Sequence, residues 1–308
     1  MKVLISTSSF AVHDRRPLDL LERHGIDYTL NPYGRTLKPS EVAELAEDHI
    51  GIIAGTEELS RAILLQLPSL KVISRVGVGI DNVDLDTCKQ LNIRVRNTPN
   101  SVTQAVAELT VGFIIDISRG ISLMSQQMHS GIWDKKMGNL VSGKTVGIVG
   151  LGRIGKRVAQ LLNPFSVEII AFDPFPDREW ARANDIRFVQ VDELMQLSDI
   201  VTIHVPYSKE NHNFIDMTKL KMMKKNAYII NTARGGLIDE LALYNCLKNG
   251  DVRGACIDVY NDEPYNGPLN ELDNVILTPH IGSYAVESRI EMELEAANNF
   301  IESLEESL

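Results

Sequence analysis

Hydrophobic residues in this chain occur mostly as short β-branched runs that alternate with segments of helical periodicity. In the first hundred residues, the helical segments are 18–24, which ends before Gly25, and 41–47, for which Ser40 is the expected N-cap. The apolar runs predict strands at 3–6, 28–30, 50–54, 72–76 and 93–95. This alternation is typical of a small α/β domain whose strands are joined by parallel crossovers.

The same alternation resumes after residues 97–100, where Pro99 breaks the pattern. Residues 101–119 predict a helix that is apolar almost all the way round, so we expect it to be covered on both sides and to contact a second subunit. Further strands are predicted at 146–149, 169–172, 188–191, 200–205, 227–231, 254–259 and 275–278. These repeated βα units predict a doubly wound parallel sheet.

The segment KTVGIVGLGRIGKR, which contains the first of these strands, carries three glycines at GxGxxG spacing: Gly150, Gly152 and Gly155. An apolar strand precedes them and an amphipathic helix follows. The first glycine permits the tight turn, the second lets a pyrophosphate approach the backbone, and the third lets helix and strand pack closely. The phosphates would bind at the helix N-terminus. The spacing therefore predicts a dinucleotide-binding Rossmann unit.

Asp173 ends the next apolar run, eighteen residues after Gly155. An acidic residue at this point accepts hydrogen bonds from a ribose 2′-hydroxyl and repels a 2′-phosphate. NAD is therefore the predicted cofactor rather than NADP. A βαβ unit whose glycines serve packing alone is the alternative, and the chemistry that follows Asp173 argues against it.

The last segment, from about Tyr284, carries a helical stripe that we expect to pack on the first domain; it comprises Val286, Ile290, Leu294, Ala297, Ile301 and Leu304. The predicted fold class is α/β. Residues 98–284 are predicted to form a Rossmann NAD-binding domain, which is inserted into a flavodoxin-like substrate domain of residues 1–97 and 285–308.

Composition agrees with two hydrophobic cores, because the chain has 308 residues of which 44% are hydrophobic. A net charge of −10 argues against nucleic acid or an anionic membrane as partner. The seven glutamates in residues 284–308 are expected on a solvated helix face. Three cysteines without CxxC or zinc spacing predict neither a disulfide nor a metal site. With no signal-peptide pattern and no run of membrane-spanning length, we expect a soluble cytoplasmic protein.

Ionisable residues lie at or just beyond the ends of four predicted strands of the second domain. The four segments read IVTIHVP (200–206), IINTARGG (229–236), ACIDVYNDEP (255–264) and ILTPHIG (276–282). Singly, Arg234 could cap a helix or pair with a surface acid, Glu263 could be a solvated turn residue, and His280 could lie in a core. Because the carboxyl ends of parallel strands meet at one edge of the sheet, we expect these three to converge there.

That combination suits hydride transfer to and from a 2-hydroxy acid. The planar guanidinium of Arg234 would pair with the substrate carboxylate. His280 would take the hydroxyl proton, since imidazole titrates near neutral pH, and Glu263 would stabilise the imidazolium and raise its pKa. Asp258 either accepts a hydrogen bond from the nicotinamide carboxamide or is a structural acid satisfied by backbone.

Several motifs, in order, resemble the D-isomer-specific 2-hydroxyacid dehydrogenases, and among them the phosphoglycerate dehydrogenases. The resemblance runs from about Lys71 through His280. It is strong at RVGVGIDNVD (75–84), NTPN (97–100), VAELTVG (106–112), SGIWDKKMG (130–138), GKTVGIVGLGRIG (143–155), NTARGGLIDE (231–240) and TPHIG (278–282).

The resemblance implies that Arg234, Glu263 and His280 are the catalytic residues and that the protein is a homodimer formed through the dinucleotide domain. It implies substrate binding by Arg75, Val76, Gly77, Val78 and Gly79, partly through backbone amides, together with Arg234 and His280. The NAD-binding positions that it implies are Val78, Gly150, Gly152, Arg153, Ile154, Gly155, Asp173, His204, Val205, Pro206, Thr232, Ala233, Arg234, Asp258, His280 and Gly282.

Two features depart from the phosphoglycerate enzymes. The turn after Ile53, where those enzymes carry basic side chains toward the substrate phosphate, reads AGTEE, and Glu57 and Glu58 would repel a phosphate if they faced the substrate. Arg75 and either Lys135 or Lys136 remain as candidate phosphate partners; the alternative is that the two lysines, which lie beside Trp133, are solvated. The sequence also stops 28 residues after His280, so we expect a short form without the C-terminal regulatory domain and without serine feedback.

The predicted reaction is the interconversion of D-3-phosphoglycerate and 3-phosphohydroxypyruvate. A hydroxypyruvate or glyoxylate reductase, or another D-2-hydroxyacid dehydrogenase, is the alternative within the class, favoured by the missing basic turn. The formate-type branch is disfavoured because its histidine partner is a glutamine. An NAD(H)-sensing corepressor resembling the C-terminal binding proteins is the alternative from another class; those proteins tend to have disordered tails and a peptide groove.

Overall fold

The computed structural model describes residues 1–306 and divides the chain into two compact units. The first comprises Met1–Val102 and the segment from Ser283 onward, and the second comprises Thr103–Gly282. The sequence pattern had placed the corresponding boundaries after residues 97 and 284. Across the described range, no helix has the length and apolar character needed to cross a membrane.

The first unit is built on a five-stranded parallel sheet with the strand order β2-β1-β3-β4-β5. Its elements up to residue 102 are β1 (Lys2–Ile5), α1 (Arg16–Arg23), β2 (Asp27–Leu30), α2 (Pro39–Ala46), β3 (Gly51–Ala54), α3 (Arg61–Leu64), β4 (Val72–Arg75), α4 (Leu85–Gln90) and β5 (Arg94–Arg96). This order is that of flavodoxin, as the parallel crossovers predicted.

The second unit contains a seven-stranded parallel sheet with the order β12-β11-β10-β9-β6-β7-β8. Its elements are α5 (Thr103–Arg119), α6 (Ile121–His129), β6 (Thr145–Val149), α7 (Arg153–Leu162), β7 (Glu168–Phe172), α8 (Arg178–Ala183), β8 (Arg187–Phe188), α9 (Val191–Leu197), β9 (Ile200–Ile203), α10 (Met217–Met222), β10 (Tyr228–Asn231), α11 (Glu240–Asn249), β11 (Gly254–Ile257) and β12 (Val275–Leu277). The strand order reverses beside β6, as it does in a Rossmann sheet, and the predicted α/β fold class is confirmed.

The chain then returns to the first unit as α12 (Val286–Glu305). Its buried face includes Met292, Ala296 and Phe300. Phe300 fits against β3 because residue 51 is a glycine, whose missing Cβ leaves room for the ring. The predicted stripe is therefore only partly right, since Val286 at its start is 50% exposed.

Three local predictions were wrong. Ser40 does not cap α2, which begins at Pro39 and uses Glu41 to accept the backbone N–H of Lys38 at 2.8 Å. The strand expected at 188–191 is limited to Arg187–Phe188, and Val191 already starts α9. The glutamates near the C-terminus are not all solvated, because Glu293 is 1% exposed.

Candidate active site

The glycine-rich turn joins β6 to α7 at the carboxyl edge of the larger sheet. Gly150 has a φ of +97°, and a Cβ there would lie 2.7 Å from the backbone of His204. A Cβ at Gly155 would overlap the carbonyl oxygen of Gly150, whereas a Cβ at Gly152 would meet nothing within 4 Å. Turn formation and close helix packing therefore require the first and third glycines, while open space lies at the second.

That open space lies at the N-terminus of α7. No side chain among residues 1–306 caps the helix, and the N–H groups of its first turn, from Arg153 and Ile154, are directed out of the helix end. A helix N-terminus of this kind attracts phosphate through these N–H groups and the helix dipole. The turn fits the pyrophosphate of a dinucleotide.

Asp173 follows β7 and is held by the same turn. Its carboxylate accepts the backbone N–H of Leu151 at 2.8 Å and that of Phe175 at 2.8 Å. A carboxylate has about four acceptor positions, so these two bonds leave capacity for the hydroxyls of a ribose. Asp173 therefore fits a dinucleotide without a 2′-phosphate.

Beyond β9, His204 lies beside Gly150. Its Nε2 is 3.0 Å from Oγ1 of Thr202, and its Nδ1 is buried with no hydrogen-bond partner among residues 1–306. Burial lowers the pKa of this imidazole to about 3. His204 is therefore neutral at physiological pH and adds no charge next to the phosphate position.

Arg234 is presented by a turn that Asn231 organises at the end of β10. The Asn231 side chain accepts the N–H of Ala233 at 3.0 Å and donates to the carbonyl of Arg234 at 2.8 Å. Gly235 follows, and a Cβ there would collide with the backbone of Tyr260. The glycine thus brings the turn with Arg234 against the segment that follows β11.

That segment carries Glu263, which meets His280. His280 Nδ1 lies 2.8 Å from Oε2 of Glu263, and both side chains are about 40% exposed, at 42% and 39%. Burial raises the pKa of Glu263, but the hydrogen bond to His280, the charge of His280 and the charge of Arg234 outweigh it and hold that pKa below its ordinary value. The imidazole, the carboxylate and the guanidinium are therefore electrostatically coupled.

Asp258 determines the shape of the loop that carries His280. Its carboxylate accepts the hydroxyl of Thr278 at 2.6 Å and the backbone N–H groups of Ile281 and Gly282, both at 2.8 Å. Burial raises the pKa of Asp258, and these hydrogen bonds counter only part of that shift. Of its two predicted roles, this geometry matches the structural acid.

In the first unit, the backbone that follows β4 is only partly available to a ligand. The N–H of Val76 donates to Ala54 at 2.9 Å and the N–H of Gly77 donates to Oγ1 of Thr98 at 2.7 Å. The N–H groups of Val78 and Gly79 donate to no residue in the described part of the chain. Two of the four predicted amides are therefore free to bind an anion.

The turn after β3 does not present Glu57 to a substrate. This residue is 1% exposed; its carboxylate accepts the N–H of Gly55 at 3.0 and 3.1 Å and the hydroxyl of Ser6. Glu58 is exposed. The expected repulsion of a phosphate therefore depends on Glu58 alone, and no residue of the turn supplies a positive charge.

Sequence reasoning missed residues that act by positioning others. Tyr260 donates its hydroxyl between the carbonyls of Ile257 and Thr278, at 2.9 Å to each, and so links the loops that carry Glu263 and His280. Asn231 and Thr98 have comparable roles. Nothing in their spacing distinguishes them, because their partners are set by the folded chain.

The fold and this arrangement together define a Rossmann-type, dinucleotide-dependent oxidoreductase, and comparison with known proteins agrees. The model of the D-isomer specific 2-hydroxyacid dehydrogenase NAD binding domain matches residues 111–282. A glyoxylate reductase from Thermofilum pendens is 41% identical over 257 residues, which cover 80% of this chain and 75% of that protein. A D-3-phosphoglycerate dehydrogenase from Methanocaldococcus jannaschii is 38% identical over 258 residues, which cover 82% of this chain and 49% of that protein.

Among solved structures, a glyoxylate reductase from Paecilomyes thermophila is similar with a TM-score of 0.88 and 29% identity, covering 99% of this chain and 95% of that one. The chain belongs to the D-isomer specific 2-hydroxyacid dehydrogenase family. It is an NAD-dependent oxidoreductase acting on the CH–OH group, so the predicted family, enzyme class and cofactor are confirmed. The chain spans about half the length of the phosphoglycerate dehydrogenase relative.

Proposed function

We propose that this protein interconverts a small D-2-hydroxy acid and its 2-keto acid, with Arg234, Glu263 and His280 as the catalytic residues. The observation that carries the proposal is the 2.8 Å contact between His280 and Glu263, next to Arg234, at the carboxyl edge of a Rossmann sheet. The Thr103–Gly282 unit is the NAD-binding domain in this proposal, and the other unit is the substrate domain.

The contact assigns a role to each nitrogen of His280. Nδ1 faces the Glu263 carboxylate and donates its proton there, so Nε2 is the atom that accepts the proton of the substrate hydroxyl. Glu263 stabilises the imidazolium that results. NAD, held at the glycine-rich turn and by Asp173, would supply the acceptor for the hydride that leaves C2 of the substrate. In the reverse direction, Nε2–H donates to the carbonyl oxygen.

Arg234 binds the substrate carboxylate, because a guanidinium pairs with it bidentately. Of the predicted substrate-binding residues in the first unit, Val78 and Gly79 have free amides that suit an anionic oxygen. Arg75 donates a hydrogen bond to the carbonyl of Val76, so its side chain is folded toward this same backbone.

D-3-phosphoglycerate is the first substrate candidate, supported by the relatives of that name and by Arg75 as a phosphate partner. An unphosphorylated acid, hydroxypyruvate or glyoxylate, is the second. The turn after β3 favours it, because the turn offers no basic residue to pair with a phosphate and its exposed Glu58 would repel one.

The test measures kcat/KM with NADH for 3-phosphohydroxypyruvate, hydroxypyruvate and glyoxylate. The same assay is run on His280→Ala, with NADH binding measured by fluorescence, and on His24→Ala, an exposed histidine of the first unit, as control. We expect His280→Ala to lose roughly 10²–10⁴-fold in kcat while it still binds NADH. Absence of turnover with every acid, or an active His280→Ala variant, would overturn the proposal.

The assembly we propose is a homodimer in the cytoplasm. In the single chain, α6 has no buried residue, and the surface formed by α6 and residues 130–137 exposes large apolar side chains; these are Ile121, Met128, Ile132, Trp133 and Met137. Apolar patches of this kind mark association surfaces. The three free, buried cysteines suit a reducing compartment.

A further inference from the structure

A second pocket, which the dehydrogenase chemistry does not use, lies at the amino ends of the strands in the larger sheet. It encloses about 250 Å³ and is lined by residues that precede four parallel strands: Lys144 before β6, Asp199 before β9, Lys224–Asn226 before β10 and Arg253 before β11. Because the strands are parallel, this is the edge opposite to the one that carries Gly150, Arg234 and His280.

The lining of this amino-edge pocket is strongly basic. Lys144, Lys224, Lys225 and Arg253 face a single acid, Asp199. That acid is already engaged, since its carboxylate accepts the N–H of Thr145 at 2.9 Å and Lys224 Nζ at 3.0 Å. Although burial raises the pKa of Asp199, these bonds and nearby lysine charges outweigh that effect and lower it.

Asp199 therefore compensates one cation and leaves three. Lys144, Lys225 and Arg253 form no ion pair within 4 Å in the part of the chain that the structure describes. The guanidinium of Arg253 lies over the ring of Tyr228, 5.6 Å from its centroid, which holds it at the pocket wall. These like charges around one pocket repel each other. The chain as a whole carries a net charge of −10, so the positive charge of this pocket is a local feature.

The neutral lining suits the same kind of ligand. Ser118 at the end of α5, Asn139 and Asn226 provide hydroxyl and amide groups, and Ile200 and Tyr228 form the buried floor. Small-molecule sites combine an apolar surface with a few polar groups that fix orientation. The volume suits a metabolite of a few carbon atoms and is small for a dinucleotide.

We propose that the amino-edge pocket binds a small polyanion with at least two negative charges, as a phosphate ester or polycarboxylate carries. Such an anion pairs with Lys144, Lys225 and Arg253 at once and removes their mutual repulsion. This site is separate from the active site, and it does not depend on which acid the enzyme oxidises.

The test is isothermal titration calorimetry of the whole protein with pyrophosphate and with citrate. Saturating NAD is present so that the glycine-rich turn is occupied, and sodium chloride of equal ionic strength is the control titrant. The double variant K225Q/R253Q is compared with K221Q, which neutralises an exposed lysine of α10 outside the pocket. Circular dichroism checks that each variant is folded.

We expect at least one polyanion to bind saturably to wild type and to K221Q. Its affinity for K225Q/R253Q should be lower by at least about tenfold. If the double variant fails to fold, the single variant K225Q at an exposed lysine replaces it, with loss of affinity expected again. No binding beyond the chloride control would overturn the proposal. Equal binding by wild type and the pocket variants would overturn it as well.

Discussion

His280 lies in a left-handed backbone conformation, with a φ of +54°. This conformation costs a non-glycine residue roughly 1–2 kcal/mol, so something must hold it. Asp258 does so through the N–H groups of Ile281 and Gly282, which directly follow the histidine. A buried carboxylate thus fixes the backbone that carries the imidazole.

Replacing Asp258 by Asn tests this positioning role. The amide has only one acceptor oxygen, and its NH₂ group would face a backbone N–H, so the loop should shift. We expect kcat to fall about 10–100-fold, and stability to fall by roughly 1–3 kcal/mol because a buried donor is left unsatisfied. Asp262→Asn, at an exposed acid in the neighbouring turn, is the control. Normal kcat in Asp258→Asn would exclude the role.

His204 predicts a specific pH dependence of stability. Its folded-state pKa of about 3 lies below the ordinary value of 6.5, so the unfolded chain binds more protons between these limits. Stability is therefore unaffected by this group above about pH 6.5 and falls as the pH drops toward 3. Urea unfolding of wild type, His204→Gln and the exposed-site control His24→Gln is measured at pH 7 and pH 4.5. Between pH 7 and pH 4.5, the unfolding free energy of the wild type should fall by on the order of 2 kcal/mol more than that of His204→Gln. Equal decreases in the two proteins would contradict the assignment.

Among the elements, the turn between β6 and α7 depends most on a single residue type. Gly155→Ala places a methyl group on the carbonyl oxygen of Gly150, and backbone cannot move aside as a side chain can. We expect the unfolding free energy, measured by urea titration, to fall by roughly 1–3 kcal/mol. We also expect weaker NADH binding, measured by fluorescence. Gln160→Ala, on the exposed face of α7, should stay within about 0.5 kcal/mol of wild type. Unchanged NADH affinity in Gly155→Ala would count against the turn as the phosphate site.

Helix α6 illustrates an element that the single chain does not explain. It is amphipathic in composition, yet none of its residues is buried. Helices of globular proteins gain most of their stability from packing an apolar face. We therefore expect a second subunit to supply the covering surface.

For the whole molecule, this predicts the oligomeric state. Trp133→Glu places a charge on the apolar surface of α6 and residues 130–137, where the indole is 76% exposed in the single chain. We expect wild type to elute as a dimer in size-exclusion chromatography with light scattering, and the variant to shift toward monomer. Tyr284→Glu, at an aromatic residue that is 71% exposed and outside this surface, should remain dimeric. A monomeric wild type would exclude the dimer.

Both domain folds could be predicted from the sequence. Alternating strands and helices, the GxGxxG turn and the acid at the end of β7 are encoded by residues close together in the chain, so periodicity and turn chemistry identify them. The convergence of Glu263 with His280 was predictable too, since both follow parallel strands and must meet at one edge.

The tertiary structure decided what local pattern could not encode. The hydroxyl oxygen of Thr98 accepts the N–H of Gly77, which is 21 residues away in the chain. The hydroxyl of Ser6 donates to Glu57, 51 residues away, and this bond helps to hold that acid away from the surface. Glu293 was predicted to lie on a solvated helix face, but it is buried, and its carboxylate accepts hydrogen bonds from Arg289 and from the N–H of Ala11. The sequence by itself determined which segments become strands and which residue types reach the active edge. Which donors, acceptors and charges stay available depended on partners brought together only when the chain folds, because hydrogen bonding and burial are set by spatial neighbours.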